Sequence, residues 1–336
     1  MILPLDPGSA PEAAMGDRRC YNFHGLQLLI AGDRAAITAL DARLRHFRAS
    51  ESTAPDLHFD FRAIGVRGLS PYQAPPQARP VYESPLGQVL YDAAADRLFL
   101  IHEDRVSVVC EPDRGYAQIG ILESTPPYCW LASHPFFTIP FIECLKRRSR
   151  YNLHAAGLCL AGKSLLFPAS SGSGKSTLAI TLARAGFGFL GDDMTFLMRG
   201  TDGVRVLAFP DEIDVTEHTA GLFPELHHLL DRPPSPGWHK RQFLIEAMYP
   251  AEVVGDCSPA ALVFPRVAHA DTSVLKRISR DEALLELAPN ILLTSGTHAQ
   301  AHLDILGDLV RSCACYRLET GRDFDALPDL LRGVIL

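Results

Sequence analysis

Residues 169–177 read Ala-Ser-Ser-Gly-Ser-Gly-Lys-Ser-Thr. Small residues followed by a lysine and hydroxyls at this spacing suit one kind of chemistry, the cradling of phosphate groups. Successive backbone N–H groups can turn inward around an anion where no side chain intrudes. A lysine can then reach the β- and γ-phosphates, and a hydroxyl can ligate Mg²⁺. Ser170, Ser171, Gly172, Ser173, Gly174 and Thr177 would line the nucleotide-binding loop, Lys175 would supply the cation, and Ser176 the Mg²⁺ hydroxyl. Ala169 stands where the usual pattern has its first glycine, and as the next smallest residue it should let the loop close. The chain contains its own control. Gly162-Lys163-Ser164 repeats three letters of the motif with no glycine-rich lead and no helix after it. It reads as a hairpin turn between Leu158–Leu160 and Leu165–Phe167.

A pair of carboxylates, Asp192-Asp193, ends the apolar stretch that begins at Phe187. Adjacent side chains on a strand point to opposite faces, so one carboxylate can serve a metal while the other serves an acceptor. The plainer alternative is a solvated acidic turn; the buried strand directly before the pair favours a functional role. His154 lies at the start of the first strand of this region, and spacing alone assigns it no more than a structural role. His227-His228 have no further ligands at metal spacing.

These residues need positioning elements. The apolar Leu165-Leu166-Phe167 reads as a strand leading into the loop. Leu178 to Ala185 reads as a helix leading out of it and stopping at Gly186, with its positive end toward the phosphates. Further on, Met194–Arg199 and Val204–Phe209 flank a hairpin signal at Gly200–Gly203. Asp231–Trp238 is a proline- and glycine-rich loop, and Ala261–Phe264 a strand. Ser279 caps a helix over Glu282–Leu287, followed by a helix at His298–Arg311, a strand at Ala314–Leu318 and a helix at Ala326–Leu331. Residues 151–336 therefore form the chemistry-bearing domain. Residues 19–150 read as a smaller α+β domain: a strand at Leu26–Ala31 and a helix over Ala35–Phe47 with Ile37, Leu40, Leu44 and Phe47 on one face. Strands follow at Val81-Tyr82, Val89–Tyr91, Leu98–Ile101 and Val106–Cys110, and a helix over Trp130–Leu145. Residues 1–18 read as a disordered tail without the features of a signal peptide.

The 336 residues are 47% hydrophobic and 21% charged, with a formal net charge of −7. That balance fits a globular chain and argues against nucleic-acid or membrane-surface binding. No apolar run reaches membrane-spanning length. The basic cluster Lys146, Arg147, Arg148, Arg150 reads as a solvated helix end, with a docking patch for an acidic peptide as the alternative. Eight cysteines without a Cys-x-x-Cys pair suggest reduced thiols and a cytoplasmic protein. On these residues alone, a kinase, a nucleotide-binding regulator without efficient transfer and a small-molecule kinase such as one acting on free serine all stay open.

His154-Ala-Ala-Gly157, the loop Ser170–Thr177, and Gly186 followed by Gly191-Asp192-Asp193 resemble, in order and spacing, the HPr kinase/phosphorylase family. The resemblance covers about residues 151–199 and is loose beyond. The N-terminal half resembles the fore-domain of related proteins found with peptide-tailoring enzymes, including lasso-peptide kinases. The resemblance implies an α/β fold: a P-loop kinase domain of the HPr kinase/phosphoenolpyruvate carboxykinase-like type behind a smaller α+β domain. It implies ATP and Mg²⁺ as cofactors, a serine-bearing peptide or protein as partner, and assembly into homo-oligomers. Carried over residue by residue, Lys175 would neutralise the phosphates, Ser176 and Asp192 would hold the metal, Asp193 would be the base, and His154 would orient the base or the phosphate. Lys240 and Arg241, beside His239, are the candidates to clamp the γ-phosphate, with Arg266 second. The glutamate-containing signature that follows the Asp pair in that family is not found; the nearest segment, Pro210–Val215, does not clearly align.

Overall fold

The computed structural model describes residues 17–50, 54–64, 73–103, 105–125, 128–234, 240–249, 251–268, 270–294 and 296–335. The chain divides into two compact units, Met1–Pro140 and Phe141–Leu336.

The first unit is an eight-stranded sheet. Its strands are β1 (Asp17–Phe23), β2 (Leu26–Gly32), β3 (Leu57–Ile64), β4 (Arg79–Ser84), β5 (Gly87–Asp92), β6 (Arg97–His102), β7 (Val106–Glu111) and β8 (Tyr116–Leu122), in the order β1-β2-β3-β8-β7-β6-β5-β4. Asp17 and Arg18, expected in the tail, instead open β1, because they pair with Gly32 and Ala31. Helix α1 (Arg34–Arg43) starts where the Asp33 carboxylate accepts from the Ala36 N–H at 3.0 Å. Ile37, Leu40, Leu44 and Phe47 are buried as their spacing predicts, the last on a 3-10 turn. The single helix expected over Trp130–Leu145 is two, α2 (Tyr128–Ser133) and α3 (Pro135–Lys146). The break falls at His134, where a following proline disfavours helical backbone. Strand β3 shows the period-two pattern of a half-buried strand: Leu57, Phe59 and Phe61 are buried and alternate with less buried neighbours.

The second unit is built on a nine-stranded sheet. In chain order it comprises β9 (Tyr151–Leu153), β10 (Ala155–Leu160), β11 (Lys163–Pro168), α4 (Lys175–Arg184), β12 (Gly188–Gly191), β13 (Thr195–Gly200), β14 (Gly203–Leu207), β15 (Ile213–Val215), α5 (Glu217–Leu222), β16 (Arg241–Phe243), α6 (Ile245–Met248), β17 (Asp256–Val267), β18 (Val274–Arg277), α7 (Arg280–Leu287), α8 (Gly296–Ser312), β19 (Ala314–Thr320) and α9 (Leu327–Ile335). The sheet runs β12-β10-β11-β17-β14-β13-β9, with β19 on β17 and β18 on β19; β15 and β16 form a separate ribbon. Leu165 and Phe167 point into one core and Leu166 into the other, and Ala261 and Val263 alternate with Leu262 and Phe264 in the same way. Strands covered on both faces read as continuous apolar runs. Gly162-Lys163-Ser164 is indeed a hairpin: Leu160 faces Lys163, and Ala161 and Gly162 both take positive φ (51° and 75°), as a two-residue turn of this hand requires.

Lys146 and Arg147 are not a solvated helix end. Their side chains are almost fully buried on the equally buried Glu143, at 2.6 and 2.8 Å. Arg148 and Arg150 donate to the carbonyls of Cys144 and Arg148. A buried carboxylate needs its counter-charges close, so these bases serve the fold. Among the described residues, no helix is long and apolar enough to cross a membrane.

Candidate active site

Strands β11 and β12 are each antiparallel to β10, so they run in the same direction. Their C-terminal ends and the N-terminal end of β10 therefore lie at one edge of the sheet. The chain leaves β11 into the loop 169–174, leaves β12 into Asp192-Asp193, and enters β10 from His154. Residues far apart in sequence thus meet along one line. Strand β17, parallel to β11, ends at the same edge, where Val267 Cγ2 lies 3.7 Å from the position a Cβ on Gly174 would take.

The loop has the form an anion needs. Gly172 and Gly174 take φ of +83° and +93°, a region that glycine enters without steric cost. No side chain caps α4, whose N-cap is Gly174, so its first N–H groups face the loop. Ala169 is absent from the positive-φ residues, which explains why an alanine fits where a glycine is usual. Lys175 is buried, and its ammonium donates to the carbonyls of Ala169 (2.6 Å) and Ser170 (3.1 Å). Ser173 Oγ donates to the Ser170 carbonyl at 2.8 Å. Ser171 is exposed, and Thr177 lies in the first turn of α4. Burial lowers the Lys175 pKa, opposed by the charges of Asp193 and Asp192. Helix α4 ends as expected at Gly186 (φ +84°), whose N–H bonds the Ala183 carbonyl while that of Phe187 bonds Leu182; the pattern closes a helix with a left-handed residue.

The two aspartates diverge. Asp192 is 5% exposed, while the Asp193 side chain is 81% exposed. Ser176 Oγ donates to Asp192 Oδ2 at 2.8 Å, whereas the buried Asp192 Oδ1 has no partner among the described residues. Burial, reinforced by the Asp193 charge, pushes the Asp192 carboxyl up to about 7. His154 Nδ1 lies 3.5 Å from Asp193 Oδ1. Its pKa is lowered by burial, against the pull of Asp193, so the imidazole is neutral near pH 7. Its backbone N–H is held by the Asn290 carbonyl at 2.7 Å.

An orphaned buried carboxylate oxygen beside a serine hydroxyl fits a divalent cation, since such oxygens are ordinarily partnered. Among the described residues, no group of three or more His, Cys, Asp or Glu side chains is arranged to hold a metal. Mg²⁺ characteristically takes one or two protein ligands and leaves the rest to phosphate oxygens and water, which Ser176 and Asp192 would satisfy.

Lys240 and Arg241 part company. The charge of Lys240 acts on both His154 and Lys175. Arg241 turns away to Glu217 (3.2 Å) and the Arg232 carbonyl (3.1 Å). Arg266 pairs with Glu286 at 3.2 Å. His239 lies outside the described residues. One charged group was missed: Asp214, on β15, acts on Asp192 and lies 4.0 Å from Lys240. It belongs to the segment Pro210–Val215, where only the pairing of β15 with β16 reveals what it faces.

No family model and no curated protein matches this chain. Among solved structures, the chain is similar to the HPr(Ser) kinase/phosphatase from Coxiella burnetii, at 12% identity over 55% of this chain and 93% of that one, with a TM-score of 0.27. A likeness that loose leaves function to the geometry of the site.

Proposed function

We propose that this protein is an ATP- and Mg²⁺-dependent kinase that transfers the γ-phosphate to a serine hydroxyl of a peptide or protein. A ribosomally made precursor peptide, such as that of a lasso peptide, is one acceptor of this class. One observation carries the reading: Ser176 and the half-orphaned Asp192 adjoin the phosphate loop, while Asp193, exposed and beside a neutral His154, faces outward. A nucleotide-binding site with no transfer to perform has no need of that outward carboxylate.

Ser176 and Asp192 would hold Mg²⁺, which supplies charge against the phosphate oxygens. Lys175, drawn from the Ala169 and Ser170 carbonyls, neutralises the β- and γ-phosphates. Asp193 takes the proton of the acceptor hydroxyl as its oxygen bonds to the γ-phosphorus, and the bond from phosphorus to the β–γ bridging oxygen breaks to leave ADP. His154 orients Asp193. Transfer is direct, with no phosphoenzyme, and rests on positioning and charge neutralisation. The motif resemblance supports serine as the acceptor.

The test is incubation with Mg²⁺, γ-labelled ATP and a panel of serine-bearing peptides. Labelled phosphoserine that depends on Lys175 and Asp193 supports the kinase. Nucleotide binding without phosphopeptide across the panel would identify a regulator, and label on free serine alone a small-molecule kinase.

A further inference from the structure

The β15–β16 ribbon carries charge to the site in a defined way. Asp214 faces Gln242, and Val215 faces Arg241, across the antiparallel pairing. Lys240 immediately precedes β16, and its ammonium reaches across the ribbon to the Asp214 carboxylate. Arg241 takes the opposite face and goes to Glu217. Ile213, Val215 and Phe243 are buried and anchor the ribbon, leaving Asp214 and Lys240 presented together, each about one-quarter exposed and 4.0 Å apart.

The surrounding charges make this pair informative. The Lys240 charge acts on Lys175 and His154, and the Asp214 charge acts on Asp192. Three carboxylates (Asp192, Asp193, Asp214) and two ammonium groups (Lys175, Lys240) therefore share the site. Asp192 has Ser176, and Asp193 has His154. Asp214, a carboxylate, would repel phosphate, and it lies within ion-pair distance of Lys240.

We propose that Asp214 and Lys240 form an exchangeable ion pair that makes the site distinguish ATP from ADP. This rests on the reading of the loop as a nucleotide site. Lys240 has two alternative anionic partners, the Asp214 carboxylate and the terminal phosphate of a seated nucleotide, and it exchanges the first for the second only when a γ-phosphate is present. A lysine suits this role, being a single charge on a flexible stem rather than a fixed fork. Asp214 is a positioning residue, acting through Lys240.

Affinities of Mg·ATP and Mg·ADP, measured by displacement of a fluorescent nucleotide from the full chain, test this. Lys240→Met should weaken Mg·ATP and leave Mg·ADP nearly unchanged. Asp214→Asn should tighten Mg·ATP by about fivefold, the size of a partly exposed charge pair, and again leave Mg·ADP unchanged. In the double variant the gain from Asp214→Asn should vanish. An equal gain for both nucleotides, no gain, or a gain that survives in the Lys240→Met background would overturn the proposal while wild-type Mg·ATP binding left the nucleotide site intact. Failure of the wild-type protein to bind either nucleotide would sink the underlying reading as well.

Discussion

Ser176 and Asp192, sixteen positions apart in the chain, are joined by a 2.8 Å hydrogen bond from hydroxyl to carboxylate. The bond ties the first turn of the loop helix to the end of the neighbouring strand β12. Its acceptor is a buried carboxylate whose second oxygen has no partner among the described residues. It sets the loop and the acidic pair side by side.

The buried carboxylate makes stability depend on pH in a definite direction. Asp192 titrates at about 7 in the fold against an ordinary 3.8. Between those values the folded state holds a proton that the unfolded state has lost, so this group's contribution falls as pH rises through the window and levels off above it. Asp192→Asn removes the effect. In chelator-treated protein, the melting temperature of the wild type relative to that variant should decline from pH 4 to 7. A difference that grew with pH would show a carboxylate stabilised as the anion.

Asp193→Asn should separate binding from chemistry. Its side chain is exposed and no part of the loop, so nucleotide affinity should stay near wild type. Phosphate transfer should drop by about 10²–10⁴, the usual contribution of a general base. Calorimetry with nucleotide, paired with labelled-ATP transfer, reads both; normal transfer in this variant would remove Asp193 from the role of base.

Lys175→Ala should abolish transfer and weaken nucleotide binding. It also leaves the Ala169 and Ser170 carbonyls without their donor. Ala169 is only half-buried and Ser170 is exposed, so water can replace the lost donor, and a denaturant titration should show little loss of stability beside the loss of activity. Lys175→Arg should fail too, because a planar fork does not replace a compact ammonium inside the loop.

Gly191→Ala should be costly for a reason unrelated to chemistry. A Cβ there would lie 2.6 Å from the Met194 carbonyl oxygen and 2.8 Å from that of Phe209, both backbone atoms. Relief requires moving the strand end that carries Asp192, at about 1–3 kcal/mol. Gly255→Ala, with nothing within 4 Å of the added Cβ, is the control. Urea denaturation of the two variants should separate them clearly; equal stability would mean that the backbone at Gly191 yields freely.

Local signals were enough for the parts that depend on neighbours in the chain. The glycine turn at Gly172 and Gly174, the hairpin at Ala161-Gly162, the end of α4 at Gly186 and the cap at Ser279 all follow from glycine's access to positive φ, side-chain capping and apolar runs. Each of these is decided within a few residues. The amino-acid sequence also identified Asp192 and Asp193 as a pair with divided environments, because alternation at a strand end is local. What the tertiary structure decided is non-local. Antiparallel pairing of β10 with both β11 and β12 set His154, the loop and the aspartates on one sheet edge. Pairing of β15 with β16 brought Asp214 to Lys240 and sent Arg241 elsewhere. Burial of Glu143 turned an apparent surface cluster of bases into internal counter-charges. Strand partners and burial depend on residues tens of positions away, and no window along the chain contains them.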